Sequence, residues 1–242
     1  MNGWKLRMAK GWFAIWNPVC WRGLRHGVLP TVDHRPMFAR VKPDGVVDVG
    51  ANRGQFALAC VSCLPGVPLH SFEPLESEAA VYRRVVPERP GSALHPFALG
   101  EEPGVARIHV SARRDSSSLL PIGRLQTEIF PETAEVGTQE IQVRRLDDLP
   151  EAWAYGRELL LKLDVQGFEL SVLKGAVHAL GRCRYVYCEC SEVELYRGQA
   201  LAGEIRGFLE AQGFRAVLRL NAAHADGRLI QADHLFEREG GR

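Results

Sequence analysis

The run Val46-Val47-Asp48-Val49-Gly50-Ala51-Asn52-Arg53-Gly54-Gln55-Phe56 constrains this chain more than any other stretch. Val46, Val47 and Val49 are β-branched, which suits a strand buried within a parallel sheet. Gly50 and Gly54 leave room where a ligand or a second backbone comes close. The helix predicted from Gln55 aims unpaired N–H groups at the turn, where they favour an anionic group. Asp48, at the strand end, can accept hydrogen bonds from an ammonium or a hydroxyl. The spacing is acidic-x-Gly-x-x-x-Gly, which differs from the Gly-x-Gly-x-x-Gly of dinucleotide folds. A glycine turn joining any strand to any helix is the plainer alternative.

Taken in order, the pattern that follows alternates strand and helix. A helix over Gln55 to Leu64 stops at Pro65-Gly66, and Val67 to Phe72 reads as the second strand. Glu73 comes nineteen residues after Gly54, at that strand's end. An acidic residue so placed accepts hydrogen bonds from ribose hydroxyls. Leu75 to Val86 is a helix, and residues 93–100 supply a third strand with its exit loop, where Phe97 and Ala98 border an adenine. Val105 to Ser111 alternates like an exposed strand and leads into Ser116-Ser117-Ser118. Those serines either form a solvated loop or face an acceptor or cofactor. Residues 122–137 read as a flexible insertion or lid, and Glu140 to Arg144 as a further strand. The apolar run Leu159-Leu160-Leu161-Lys162-Leu163 ends at Asp164, so a carboxylate sits at the carboxyl end of a central strand, where open α/β sheets bind ligands. Tyr185 to Cys190 is another strand, with Glu189 near its end. A helix near residues 200–212 precedes two closing strands, Phe214 to Leu220 and Ala232 to Arg238. A polar turn at Ala225-Asp226-Gly227 makes them a terminal hairpin.

The first residues stand apart. Trp4, Met8, Trp12 and Trp16 recur at four-residue spacing among Lys5, Arg7, Lys10 and Arg22, one face of a helix that Pro18 breaks. A helix packed on the domain or covering its cleft is the expectation. The alternative is an interfacial helix touching a membrane or a lipid-linked acceptor. The loop Arg25 to His34 approaches the first strand, and His34 is a candidate substrate contact or an ordinary surface histidine.

A formal net charge of +1 gives no global field for nucleic acid, and no stretch is apolar for the length of a membrane span. Six scattered cysteines and the lack of a continuous apolar leader point to reduced thiols in a cytoplasmic protein. Cys60-x-x-Cys63 falls inside a predicted helix, where buried small thiols are a better reading than a redox or zinc pair. No ligand spacing asserts a metal.

Together these motifs resemble the FkbM-type S-adenosylmethionine-dependent methyltransferases over roughly residues 44 to 237. The residues that carry the resemblance are Asp48-Val49-Gly50-Ala51-Asn52-x-Gly54-x-Phe56, Phe72-Glu73-Pro74, Ser116-Ser117-Ser118-Leu119, Leu146-Asp147-Asp148-Leu149 and Lys162-Leu163-Asp164-Val165-Gln166-Gly167-Phe168-Glu169. Gln166 stands where the family commonly carries Glu. The resemblance implies a Rossmann-like α/β fold: a seven-stranded sheet with helices on both faces and a reversed final strand. Residues 1–43 would form an N-terminal cap and residues 44–242 the methyltransferase domain, with 112–137 as lid or insertion. It implies S-adenosylmethionine as cofactor, with Asp48, Gly50, Asn52 and Gly54 near the methionine portion, Glu73 at the ribose, and Phe97 and Ala98 at the adenine. It also implies O-methylation of a hydroxyl on a sugar, glycolipid or natural product. Asp164 is then the candidate catalytic group, with Glu189 second and His34 or His95 third. Ser117, Ser118 and His34 are the candidate acceptor contacts. A NAD-dependent oxidoreductase, a non-catalytic nucleoside-binding module and an RNA methyltransferase are the rival readings.

Overall fold

The computed structural model describes residues 8, 11–13 and 15–240. Two helical turns, α1 (Trp21–Arg25) and α2 (Arg35–Phe38), precede β1 (Val46–Val49). Then come α3 (Gln55–Cys63), β2 (Leu69–Phe72), α4 (Glu76–Val85), β3 (Ala93–His95), β4 (Ala98–Leu99) and β5 (Gly104–Ser111). After them follow α5 (Arg124–Ile129), β6 (Glu135–Arg144), β7 (Leu159–Leu163), α6 (Glu169–Lys174), α7 (Val177–Leu180), β8 (Cys183–Ser191), α8 (Ala202–Ala211), β9 (Phe214–Ala225) and β10 (Arg228–Arg238).

Seven strands form one sheet in the order β3-β2-β1-β7-β8-β10-β9. β3, β2, β1, β7 and β8 are paired in parallel, and β10 is antiparallel to β8 and to β9. The hairpin that reverses the chain turns at Asp226 and Gly227, whose φ values of +48° and +75° fall in the left-handed region. Apart from the paired Asp48 and Lys162, the residues of β1 and β7 are apolar because both faces are buried. Val47, Val49, Leu161 and Leu163 pack with Val172, Leu173, Ile205 and Leu209 of α6 and α8. Val46 and Leu160 pack on the other face with Met37, Phe38, Phe56 to Val61, and Val85 of α2, α3 and α4.

Three expectations are corrected. The third strand and exit loop expected over residues 93–100 are instead two short strands. β3 joins the large sheet, whereas β4 belongs to a separate three-stranded sheet, β4-β6-β5. Pro96, which lacks an N–H for the ladder, separates them. Residues 122–137, expected as a flexible insertion or lid, carry regular structure: they contain α5 and the start of β6, and the Gly123 N–H donates to the Leu195 carbonyl at 2.8 Å. The helix at the start of the chain does not turn its apolar face to the domain. Met8, Trp12 and Trp16 are helical and exposed, while Trp4 lies outside the described residues. The chain enters the core further on, from Val19 and buried Cys20 and then through buried Val28, Val32, Met37, Phe38 and Val41.

Candidate active site

β1 and β7 are neighbours, in a register that sets Val49 beside Leu163 and Asp48 beside Lys162. Both strands end in sharp turns at the same edge. Gly50 has φ +76°, and a Cβ there would collide with the Asp164 carbonyl, so the approach of the two turns requires glycine. Asn52 and Gln166 also lie in the left-handed region, at φ +47° and +56°. Asparagine tolerates this; glutamine does so only when its surroundings hold it.

The amides within the turn itself are engaged inside the protein. Gly50 and Ala51 both donate to the Phe72 carbonyl, at 3.1 and 3.0 Å. Asn52 donates to Glu73 Oε2 at 2.8 Å, Arg53 to Asn52 Oδ1 at 2.7 Å, and Gly54 to the Ala51 carbonyl at 2.9 Å. Every N–H from residue 50 to 54 is therefore committed within the protein. Any anion at this edge therefore depends on the first amides of α3, from Gln55 onward, and not on the turn. The second turn is fixed the same way: Glu169 Oε1 accepts from the amides of Val165 and Gly167, at 3.0 and 3.2 Å.

A cavity of about 310 Å³ opens above these turns, and Gly50, Asn52, Glu73, Ala98, Ser117, Ser118, His34 and Asp164 all line it. Glu73 is buried, its carboxylate also accepting from the Leu75 amide at 2.8 Å. Burial pushes its pKa up to about 7, against the pull of the two amides. Asp48, Gly54 and Phe97 stand back from the wall. Asp48 is wholly buried, 2.9 Å from Lys162 Nζ. Burial raises the Asp48 carboxyl, with Lys162 opposing. Burial also works against the Lys162 ammonium, but Asp48 and Asp164 outweigh it, and its pKa lies above the usual lysine value. Lys162 donates to the carbonyls of Val49 and Gly50, at 3.2 and 2.8 Å, and so holds the first turn from below. Gly54 lets α4 approach, since a Cβ there would strike Val86 at 2.6 Å. Phe97 is buried beneath the Arg144 guanidinium, 4.4 Å from its ring centroid. Ser117 and Ser118 are already engaged: Ser117 Oγ accepts from the Ser111 amide, and Ser118 Oγ donates to the Gln166 carbonyl at 2.6 Å.

A second cavity, about 260 Å³ in volume, adjoins the first. Arg113, Asp115, Asp164 and Gln166 belong to both walls. Gln166, whose side chain sequence reasoning gave no role, is the crossbar between them. Its Nε2 donates to Asp164 Oδ1 at 2.7 Å and to Glu189 Oε2 at 3.1 Å. Its Oε1 accepts from the Tyr196 hydroxyl at 2.8 Å. Gln231 supplies the other oxygen of Glu189, at 2.9 Å. Desolvation by the surrounding walls raises the pKa of Asp164, though its side chain keeps 43% of its surface open to the cavities, and Lys162 and Gln166 oppose the rise. Burial, then Asp164 and Asp233, push Glu189 well above the carboxylate range. Gln126 completes this wall. It is buried, and its Oε1 has no hydrogen-bond partner among the described residues. An orphaned acceptor of this kind matches a ligand that brings a donor.

His34 is held by Tyr187, whose hydroxyl lies 2.8 Å from Nδ1 and donates to Asp233 Oδ2 at 2.9 Å. His95, by contrast, is stacked on Phe72 at 4.5 Å, away from either cavity, and burial with neighbouring His70 lowers its pKa to about 4. That removes it as a proton acceptor for the site. Cys60 and Cys63 are free thiols, Cys60 buried within α3. Among the described residues, no three His, Cys, Asp or Glu side chains converge to hold a metal ion. No helix among them is long and apolar enough to cross a membrane.

The methyltransferase FkbM domain model matches residues 48–216, from the buried aspartate of β1 into β9. The chain belongs to the FkbM methyltransferase family. It is therefore an S-adenosylmethionine-dependent methyltransferase. Among its relatives is 31-O-demethyl-FK506 methyltransferase FkbM of Streptomyces tacrolimicus, 30% identical over 232 residues, covering 86% of this chain and 83% of that one. Another is 2-O-methyltransferase NoeI of Sinorhizobium fredii, 28% identical over 185 residues, covering 73% and 76%. A solved S-adenosylmethionine-dependent methyltransferase from Mesorhizobium loti is 10% identical, covers 85% of this chain and 98% of its own, and superposes with a TM-score of 0.48. The site suits this cofactor. The turn at Gly50 lets a ligand approach the main chain closely, and Glu73 presents a buried carboxylate to hydroxyls.

Proposed function

We propose that this FkbM methyltransferase methylates a hydroxyl oxygen of a small molecule: a sugar, a glycolipid or another natural product. The observation that carries the reading is the junction of the two cavities at Asp164. The larger cavity takes the cofactor and the smaller takes the acceptor, with one carboxylate at the boundary. The printed names of both relatives specify methylation at oxygen, which supports the same chemistry.

S-adenosylmethionine supplies a methyl group already activated by positive sulfur. The protein's part is alignment, worth about 7–11 kcal/mol in the best cases, and a destination for the hydroxyl proton. Gly50 and Asn52 wall the methionine portion, Glu73 accepts from the ribose hydroxyls, and Ala98 borders the adenine. Asp48, Gly54 and Phe97 act from behind: Asp48 through Lys162, Gly54 by admitting α4, and Phe97 by packing under β4. Asp164 receives the proton. Its raised pKa makes it a stronger base than an ordinary aspartate, whose pKa is about 3.9. The Gln166 amide and Lys162 keep it from being neutralised outright. Glu189 is the partner carboxyl, Gln126 the acceptor for a neighbouring donor of the ligand, and His34 a contact at the cavity rim.

Calorimetric titration with S-adenosylmethionine, S-adenosylhomocysteine and NAD is the first test. Binding of both sulfur compounds and not NAD is expected, since the spacing from Asp48 through Gly50 to Gly54 departs from the Gly-x-Gly-x-x-Gly of dinucleotide folds. NAD binding in their place would overturn the cavity assignment. A screen of labelled methyl transfer to sugar and polyketide alcohols then tests the acceptor class. Transfer to amine or thiol acceptors alone would sink the hydroxyl reading.

A further inference from the structure

One surface plays no part in the chemistry above. Met8, Trp12, Ile15 and Trp16 follow helical spacing, and they are exposed by 65%, 65%, 53% and 74%. Trp21 and Leu24 of α1 extend the same apolar run, at 52% and 39%. The pieces are tied together, because the Trp21 indole donates to the Ile15 carbonyl at 3.0 Å, and the rings of Trp12 and Trp16 meet edge-on at 6.1 Å. Single exposed apolar residues are ordinary, but a contiguous group of large ones marks an interaction site.

Charge identifies the occupant. The first 32 residues carry Lys5, Arg7, Lys10, Arg22 and Arg25 and no acidic residue, in a chain that has 30 Lys and Arg against 29 Asp and Glu. Arg22 and Arg25 are exposed beside Trp21 and Leu24. Four of the five tryptophans are also here, at positions 4, 12, 16 and 21. Tryptophan prefers the level of lipid headgroups, and clustered cations are attracted to anionic lipid. A second copy is a poor fit, because a self-complementary contact sets like cations against each other.

We propose that the apolar face from Met8 to Leu24 docks on an anionic bilayer surface, lying in the interface without crossing it. Seven residues past Leu24 the chain reaches Thr31, and then His34, in the wall of the larger cavity. The docking segment and the site are thus joined by a short connection. The inference is independent of which acceptor is methylated.

The test is sedimentation of the whole protein with vesicles of phosphatidylcholine alone, or of phosphatidylcholine with about a third phosphatidylglycerol. Tryptophan emission and light scattering are recorded alongside. Expected results are binding to the anionic vesicles, a blue shift of emission, and weakening of both by salt. The exposed pair Trp12→Ala/Trp16→Ala is expected to lower partitioning at least tenfold, on the order of what two interfacial aromatics supply. The charge reversal Arg22→Glu/Arg25→Glu is expected to abolish the preference for anionic lipid. Circular dichroism and S-adenosylhomocysteine binding should match the parent in both variants. No sedimentation with anionic vesicles would overturn the proposal, and so would equal binding to neutral ones. A concentration-dependent dimer lost with the tryptophans would assign the face to a second copy instead.

Discussion

On one side of Asp164 the cavity rests on a main-chain turn. Gly50, Ala51 and Asn52 turn tightly at the end of β1, their amides consumed by the Phe72 carbonyl and Glu73 of the next strand. On the other side the wall is made of side chains. Gln126, Gln166, Glu189 and Gln231 come from four segments; Gln166 and Gln231 both hold Glu189, and Gln126 and Gln166 both meet the Tyr196 hydroxyl. A main-chain wall fixed by close packing tolerates no added atom. A side-chain wall can change its shape and its donors one residue at a time. The constant part of a transfer reaction sits more securely against the first, and the variable part against the second.

The largest effect is expected at the boundary. Asp164→Asn should lower turnover by roughly 10²–10⁴, the range of a general base, while the cofactor dissociation constant stays within a few-fold. A fall in cofactor affinity with unchanged turnover would break the division of labour, and binding and initial-rate assays decide it. Gly50→Ala comes next. The added methyl collides with the Asp164 carbonyl and forces a side chain into φ +76°. A loss of about 3–5 kcal/mol in unfolding free energy is expected, as for other combined backbone and packing faults. A melting temperature unchanged from the parent would show that the turns are looser than they stand.

Glu73→Gln should cost about 1.5–3 kcal/mol of cofactor binding, the value of hydrogen bonds to a charged group. It should also remove a pH dependence. In the parent, Glu73 has a pKa of about 7 without ligand. Hydroxyl donors favour its ionised form, so binding strengthens as pH rises through 7 and levels off above, with proton release. Calorimetry in two buffers of different ionisation enthalpy reads this directly. Binding that weakens as pH rises would exclude Glu73 as the hydroxyl acceptor. The smallest effect belongs to the side-chain wall: Gln126→Leu should raise the KM for the acceptor about tenfold, the worth of one hydrogen bond to a buried group. The cofactor constant should not move. A change in cofactor binding would mean that the two walls are not separable.

Legibility in the sequence divides along the same line. The strand–turn–helix at residues 46–56 could be read because valines and glycines leave few other conformations. Asp164 could be read because an apolar run ends there. Lys162 carried a signal that went unused: a lysine inside the run 159–163 must find a buried carboxylate, and the other apolar strand holds one at Asp48. What the amides of Gly50, Ala51 and Asn52 do was not legible, since their acceptors are Phe72 and Glu73 at the end of the next strand. Gln126, Tyr196 and Gln231 were not legible either. Their meeting depends on how α5 and the terminal hairpin pack, and no local spacing records it. Phe97 was placed near a ligand because one strand and its exit loop were expected where Pro96 separates two strands.

The Asp48–Lys162 pair joins two motifs that are far apart in the chain. Losing either partner strands the other charge in the core, a fault typically costing 3–5 kcal/mol. An apolar pair could preserve packing, but it would release the Gly50 carbonyl that Lys162 holds. Substitution at one position is therefore conditional on the other. In any lineage of this fold the two must drift together or stay put, and the two loops they anchor inherit that restriction as a single evolving unit.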